Sequence, residues 1–343
     1  MNSSSNYEYK IVNAEAIDRQ VWQDYVDTHA EGTVFHTPYM YDVYRQTPNH
    51  VPFALFAIDD NCAIVAMLSG FVQTVSSMPL INKLSKRAVL MQSPLFNNEQ
   101  ALSNLLEGYV TFVRKQALYS EIRNHVDTQV VKAMFEATGF KHEEHLNILI
   151  NLTESLETLW KGIHPKRRNE IRKAERNLVY VSKLKMEHLD KAYGILSEVY
   201  TRAGLPLMPF DFFRKALSMA TDDCGLVVYG AFAKDQLIGT MFTLQYKKIV
   251  FDYYAGSLSE YYHLNPNDIL PWKVMISTKE MGYELFDFGG AGKPNVEYGV
   301  RDYKIKFGGS LVNYGRYIAI HSPMKCWLAE KAFILLRKLK KMI

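Results

Sequence analysis

Cysteine is scarce in this chain: Cys62, Cys224 and Cys326 are odd in number and far apart, which excludes a disulfide framework and a structural zinc site. Their sparseness fits a reducing compartment. Long apolar runs are also lacking; nothing approaches the roughly 18 residues that a spanning helix needs. The opening MNSSSNYEYK has no apolar middle of the signal-peptide kind, so a cytoplasmic location is expected. Charge of one sign is not in excess either. The net +4, from 40 Lys and Arg against 36 Asp and Glu, gives no general attraction to nucleic acid. There is no P-loop and no Gly-x-Ser-x-Gly elbow, and His142-Glu-Glu-His145 is one residue short of the helical zinc spacing. Neither a metal nor a tightly bound cofactor is expected.

What is present is an ordinary folded composition, 48% hydrophobic and 22% charged, over 343 residues. That length suits about two domains of roughly 150 residues. Helical and strand-like periodicities alternate along the chain. VPFALFAIDDNCAIVAMLSGFVQTV reads as a hairpin around Asp59-Asp60-Asn61, and LVVYGAFAKDQLIGTMFTLQYKKIVFDYYAG as a second meander turning at Lys234-Asp235. Helix patterns precede and follow each meander. The order occurs twice without a residue-level repeat. It predicts a mixed α/β (α+β) protein of two domains with largely antiparallel sheets, not a doubly wound sheet. The expected division is 1–152, 153–316 and a closing segment 317–343.

Two segments carry most of the chemistry. HPKRRNEIRKAERN, from His164, reads as a helix with Pro165 at its start and Ile171, Ala174 and Leu178 on one apolar face. Arg168 and Arg172 stand one turn apart, where two guanidiniums can grip a phosphate or pyrophosphate. The plainer reading is a solvated helix laced by Glu170 and Glu175. The second segment, LFDFGGAGKPNVEYGVRDYKIKFGG, takes an apolar strand into Asp287, a glycine loop and the run Tyr303-Lys304-Ile305-Lys306-Phe307. Lys304 and Lys306 would share a face in a strand but not in a turn. Asp287 could orient or deprotonate an amine, or could cap its own loop. In VFDYYAG, Asp252 and Tyr254 fall on one face of a strand, where a buried pair would relay a proton; packing alone is the alternative.

Arg168-Asn-Glu-Ile-Arg-Lys-Ala, then Phe286-Asp-Phe-Gly-Gly, then Tyr303-Lys-Ile-Lys-Phe-Gly-Gly occur in an order that resembles the FemABX aminoacyltransferases of the GNAT acyltransferase superfamily. Tyr253-Tyr-Ala-Gly, Pro271-Trp272 and the GTVFHTPYM text at Gly32 fit the same order. The resemblance spans roughly residues 30–315. It implies two tandem GNAT-like domains with a substrate cleft between them, and an acyl or aminoacyl group transferred to an amine. Aminoacyl-tRNA or acyl-CoA would be the co-substrate, and a small-molecule or lipid-linked phosphorylated cell-envelope precursor the acceptor. On that resemblance Arg168 and Arg172 hold phosphates of a donor or acceptor, and Lys304 lies at the acyl carbonyl or the tRNA end. Tyr303, Lys306 and Phe307 line the substrate site, and His36 is a further contact. As a cation, Lys304 would support the oxyanion; as part of an edge strand, it would only blunt aggregation.

Two departures bear on the donor. SLSEYYHLNPND, between Gly256 and Ile269, has no glycine-backed nest for the pyrophosphate of coenzyme A. No extra helical pair of the kind some relatives insert for tRNA follows Arg176. Competing readings are therefore an acyl-CoA-dependent N-acetyltransferase acting on an amino sugar or amino acid, and a non-catalytic scaffold of surface-polysaccharide assembly. The tail KCWLAEKAFILLRKLKKMI is a basic amphipathic helix in pattern. It either packs on the first domain or makes peripheral membrane contact through residues 324–343.

Overall fold

In the computed structural model residues 9–74, 85–328 and 331 are described, and the chain separates into two units: residues 1–144 with 314–343, and residues 145–313. In the first unit, period-two alternation produces β1 (Lys10–Asn13), β2 (His50–Ile58), β3 (Ile64–Gln73), β4 (Arg87–Leu90), β5 (Leu95–Phe96), β6 (Tyr119–Arg123) and β7 (Lys141–Glu143), joined by the late strand β15 (Arg316–Ile320). The sheet order is β1-β2-β3-β4-β6-β15-β7, with β5 on β3. One face is covered by α3 (Glu99–Val113), whose Leu102, Leu105, Leu106 and Tyr109 are fully buried at helical spacing, with the short α4 (Lys132–Ala137) packed beside it. On the other face, α2 (Pro38–Arg45) lies over β2 and β3, and α1 (Arg19–Thr28) packs beside it through Trp22.

The second unit repeats this plan. Its strands are β8 (Leu146–Asn151), β9 (Tyr180–Lys183), β10 (Cys224–Ala233), β11 (Gln236–Tyr246), β12 (Ile249–Ser257), β13 (Leu285–Gly290) and β14 (Ser310–Asn313), ordered β14-β8-β13-β12-β11-β10-β9. All neighbours are antiparallel except β12 and β13, as β4 and β6 are the parallel neighbours of the first sheet. The architecture is mixed α/β with two largely antiparallel sheets, as the alternation predicts. The units part at residues 144/145 rather than at 152, because β8 pairs with β13 and β14. They part again at 313/314 rather than at 316, because β15 pairs with β6 and β7.

Helices of the second unit take both faces of its sheet. α5 (Leu156–Gly162) and α6 (Pro165–Arg176) precede β9; α7 (Leu189–Ala203) lies on β11 and β12, and α8 (Phe210–Met219) on β10. α9 (Pro266–Glu280) joins β12 to β13, and the short α10 (Gly299–Lys304) runs into a 3-10 turn at Ile305–Phe307. Ile171 and Ala174 of α6 are buried, as their spacing predicts. Leu178 is not: it follows the helix in the left-handed conformation, φ 58°, and is 81% exposed. Glycine normally occupies that position, because a Cβ is strained there. Leu178→Gly is therefore expected to raise stability by about 0.5–1 kcal/mol, read from urea midpoints at unchanged slope.

The closing glycines are structural. Gly309 has φ 88°, and a Cβ there would overlap the Leu149 carbonyl oxygen of β8. Most of the amphipathic tail lies outside the described residues. Residues 323–328 are helical, with Met324, Trp327 and Leu328 exposed. No helix among the described residues is long and apolar enough to cross a membrane.

Candidate active site

The parallel neighbours β12 and β13 pair only from Ile249↔Leu285 to Phe251↔Asp287, although both strands continue. Each bulges just past the last pair. On β12, Phe242 and Thr243 of β11 face Tyr254 and Asp252, leaving Tyr253 as the extra residue. On β13 the register with β8 jumps from Asp287↔Leu149 to Gly290↔Asn147. A bulge bends its own strand, so two bulges at one level open the sheet between the strands. The Asp-Phe-Gly-Gly text is the means on β13: Asp287 Oδ1 accepts the Gly289 N–H at 2.6 Å, and Gly289 sits at φ 70°.

Lys304 enters this opening from α10. Its ammonium donates to the Phe288 carbonyl at 2.5 Å and to the Gly290 carbonyl at 3.4 Å, on the stretch of β13 beyond its pairing with β12. Burial lowers the Lys304 pKa, and the Asp252 and Asp287 carboxylates act to hold it up. Burial also pushes Asp252 up to about 6, with Lys304 pulling it down and Asp287 adding to the rise. An ammonium and a carboxylate with a raised pKa thus act on one another at one break in the sheet. That pairing can support a developing oxyanion and accept a proton near neutral pH.

α10 is held in place by side chains that the basic helix and α9 supply. Pro271, inside α9, has no N–H to offer the Asn267 carbonyl one turn earlier; the Tyr303 hydroxyl donates to that carbonyl instead, at 2.5 Å. The Arg167 guanidinium lies 4.7 Å over the Tyr303 ring and pairs with buried Asp268 in the first turn of α9. Phe307 is buried against Phe288 and Tyr303.

Six of the expected site residues fall into three groups. Lys304, Asp252 and Asp287 come together at the opening, with Asp287 also capping its own loop. Tyr254 belongs to an aromatic group with Tyr200 of α7 at 5.2 Å and Phe213 of α8 at 5.3 Å; the bulge breaks the simple alternation that put it on one face with Asp252. Tyr303 and Phe307 anchor α10 rather than line an open surface.

Others are placed elsewhere. Arg168 donates to the Trp160 carbonyl, closing the end of α5, and Arg172 lies 5.2 Å over the Trp160 ring, so the row at 168 and 172 faces tryptophan and not α10. Lys306 is in a 3-10 turn, not a strand, so it does not share the direction of Lys304; its carbonyl accepts the His164 N–H at 2.9 Å. His36 is 1% exposed in the first unit, its ring held by the Ser93 carbonyl and the Thr33 N–H, which removes it as a substrate contact.

Sequence reasoning passed over Arg167 and Tyr200. Arg167 carries a usable signal, since it continues the buried row of Ile171 and Ala174 at helical spacing. Tyr200 has none, because only the fold brings α7 over β12. Its hydroxyl bonds the Ala255 backbone, and burial followed by Asp252 and Tyr254 raises its pKa.

Residues 165–304, which contain all of these elements from α6 to α10, match the family model described as an acetyltransferase (GNAT) domain. This segment is a GNAT acyltransferase domain. No curated protein matches the chain. Among solved structures, the crystal structure of FemX aligns over 93% of this chain and 100% of that one, with 13% identity and a TM-score of 0.73. L-PGS from Bacillus licheniformis aligns over 91% and 96%, with 13% identity and a TM-score of 0.57. A tandem GNAT protein from the clavulanic acid biosynthesis pathway aligns over 92% and 99%, with 11% identity and a TM-score of 0.59. At these identities the likeness is one of fold, a tandem GNAT architecture, and the matched GNAT domain makes the protein an acyltransferase.

Proposed function

We propose that the protein transfers an aminoacyl or acyl group to an amine of a phosphorylated cell-envelope precursor, at the opening between β12 and β13. The observation that carries this reading is that Lys304 and Asp252 act on one another at the break in pairing. Lys304 supports the oxyanion as the amine attacks the acyl carbonyl, Asp252 takes the proton that the amine loses, and the C–O or C–S bond to the donor then breaks, the donor leaving as its alcohol or thiol with that proton. An activated ester or thioester needs little beyond this positioning. Lys304 replaces Arg168 and Arg172 as the central cation, and Arg167 positions it through Tyr303.

The donor separates two versions. The GNAT match favours acyl-CoA. Against it, the first turn of α9 carries Pro266, which lacks an N–H, and the buried Asp268 carboxylate, while residues 259–264 form a 3-10 helix and not a glycine nest. We therefore favour an aminoacyl donor of the tRNA-ester kind. In thermal melts, an aminoacyl-ester analogue of the tRNA 3′ end and a UDP-linked muropeptide are each expected to stabilise the protein, by about 2.7 kcal/mol at ~100 times the dissociation constant. Stabilisation by coenzyme A alone would transfer the proposal to an acyl-CoA-dependent N-acetyltransferase.

The exposed Met324 and Trp327, with the Lys331 ammonium 5.8 Å over the Trp327 ring, support peripheral contact of the tail with an anionic membrane. Co-sedimentation with phosphatidylglycerol vesicles should be strong for the full chain and weak for a chain ending at residue 323. Equal sedimentation of the two removes the membrane contact.

A further inference from the structure

The second unit has a cleft that the transfer chemistry does not use. β9 pairs with β10 only along Tyr229–Phe232, and the earlier residues of β10 run on past it. Beyond that end of β9 lies a hollow of about 310 Å³, enough for one small molecule. Leu184, Leu217, Leu226, Val228 and Met281 give it an apolar lining. Gln245 of β11, Lys183 at the end of β9 and Asp222 in the turn between α8 and β10 add three polar positions. Gln245 pairs with Val250, on the closed side of Phe251↔Asp287, so the cleft and the β12–β13 opening are separate places on the sheet.

Gln245 is the informative residue. It is 3% exposed, and its amide nitrogen donates to the Tyr229 hydroxyl and to Thr243 Oγ1, both at 3.1 Å. Those two bonds fix the plane of the amide. Its Oε1 accepts no hydrogen bond among the described residues, yet it is not sealed from solvent, and the cleft is what reaches it. Directly across on β10 stands Gly225, which shares the face of Gln245 and has no side chain to cover it. A buried side-chain amide normally has both ends satisfied. The two charges are uncommitted as well. The Lys183 ammonium has the Met281 sulfur at 3.5 Å, a neighbour without counter-charge. Among the described residues the Asp222 carboxylate enters no ion pair or hydrogen bond, while adjacent Asp223 acts on Tyr283. Solvation alone would explain two exposed charges, but not the open acceptor of a buried amide in the same cleft.

We propose that this cleft binds a free α-amino acid with an apolar side chain. Lys183 takes its carboxylate, Asp222 and Gln245 Oε1 take its ammonium, and the leucine and valine lining takes its side chain. Charges of both signs beside an apolar surface fit a zwitterion. A simple anion would meet Asp222 and an acceptor oxygen, and a simple cation would meet Lys183. The ammonium also supplies the donor that the buried amide lacks, and Gln245 is already oriented to receive it. Binding here does not depend on the acyl-transfer reading, and either could stand without the other.

The test is calorimetric titration of the full chain with L-leucine. One saturable site per chain is expected, weakened at least tenfold by Lys183→Met and by Asp222→Asn. Both residues are exposed, so both variants should melt close to the unmodified protein. Edits to the ligand match these variants group by group. Leucinamide, which lacks the carboxylate, should bind the unmodified protein weakly and Lys183→Met no more weakly. N-acetyl-leucine, which lacks the ammonium, should stand in the same relation to Asp222→Asn. Asp252→Asn, at the β12–β13 opening, should bind leucine as the unmodified protein does. Absence of saturable binding, an affinity that Lys183→Met and Asp222→Asn leave unchanged, or loss of binding in Asp252→Asn overturns the proposal.

Discussion

Replacing Lys304 with methionine is expected to lower acyl transfer by 10²–10³-fold and to destabilise the protein by about 3–5 kcal/mol. The two effects have separate origins. The rate falls because the oxyanion loses its cation. Stability falls because Asp252 and Asp287 are left facing each other without a positive charge, and because the Phe288 carbonyl loses its donor. A double-mutant cycle separates the pair from the cavity. If Lys304 and Asp252 interact as their mutual effects indicate, Asp252→Asn should cost less, or gain more, in the Lys304→Met background than alone, with a coupling of at least about 1 kcal/mol in urea unfolding. Strict additivity would dissolve the proposed contact.

Asp252→Asn carries the second large effect, and its sign depends on pH. The carboxyl keeps its proton in the folded protein up to about pH 6, whereas an unfolded aspartate ionises near pH 4. Between those values the folded state binds more protons, so this group's contribution to stability is full below about pH 4 and is lost as pH rises through 6. Asparagine cannot ionise. The variant should therefore be more stable than the unmodified protein by about 1–2 kcal/mol at pH 7.5 and lose that advantage below pH 4, the gain being limited because Lys304 loses one of its two carboxylates. Catalysis should move the other way. The unmodified rate should rise through about pH 6, and Asp252→Asn should lie 10²–10⁴-fold lower with that rise removed. An unchanged pH profile would exclude Asp252 as the base.

Much of this site can be read in the chain, but not its assembly. Asp-Phe-Gly-Gly announces a strand that ends in a tight turn, and Lys304 stands out because it follows a glycine loop. The choice among the cations of the basic helix is a different matter. Arg168 and Arg172 form the pair with phosphate-gripping spacing, yet Trp160, a residue of the preceding helix, takes both. Arg167 instead meets Tyr303, and its place in line with Ile171 and Ala174 is the one local sign that it faces inward. Leu178 shows the converse: helical spacing extends the apolar row to it, and chain reversal at Asn177 turns it out to solvent.

Local pattern by itself determined the classes of element, the two meanders, the glycine turns and the presence of a basic helix before the second sheet, because side-chain period and backbone sterics act between near neighbours. Only tertiary structure decided that β12 and β13 separate beyond Asp287, that the carbonyl freed by Pro271 receives Tyr303, and that Lys304 thereby comes close enough to act on Asp252 across about fifty residues of sequence. The energy of each of those contacts comes from burial and charge compensation between remote segments, which no local periodicity encodes.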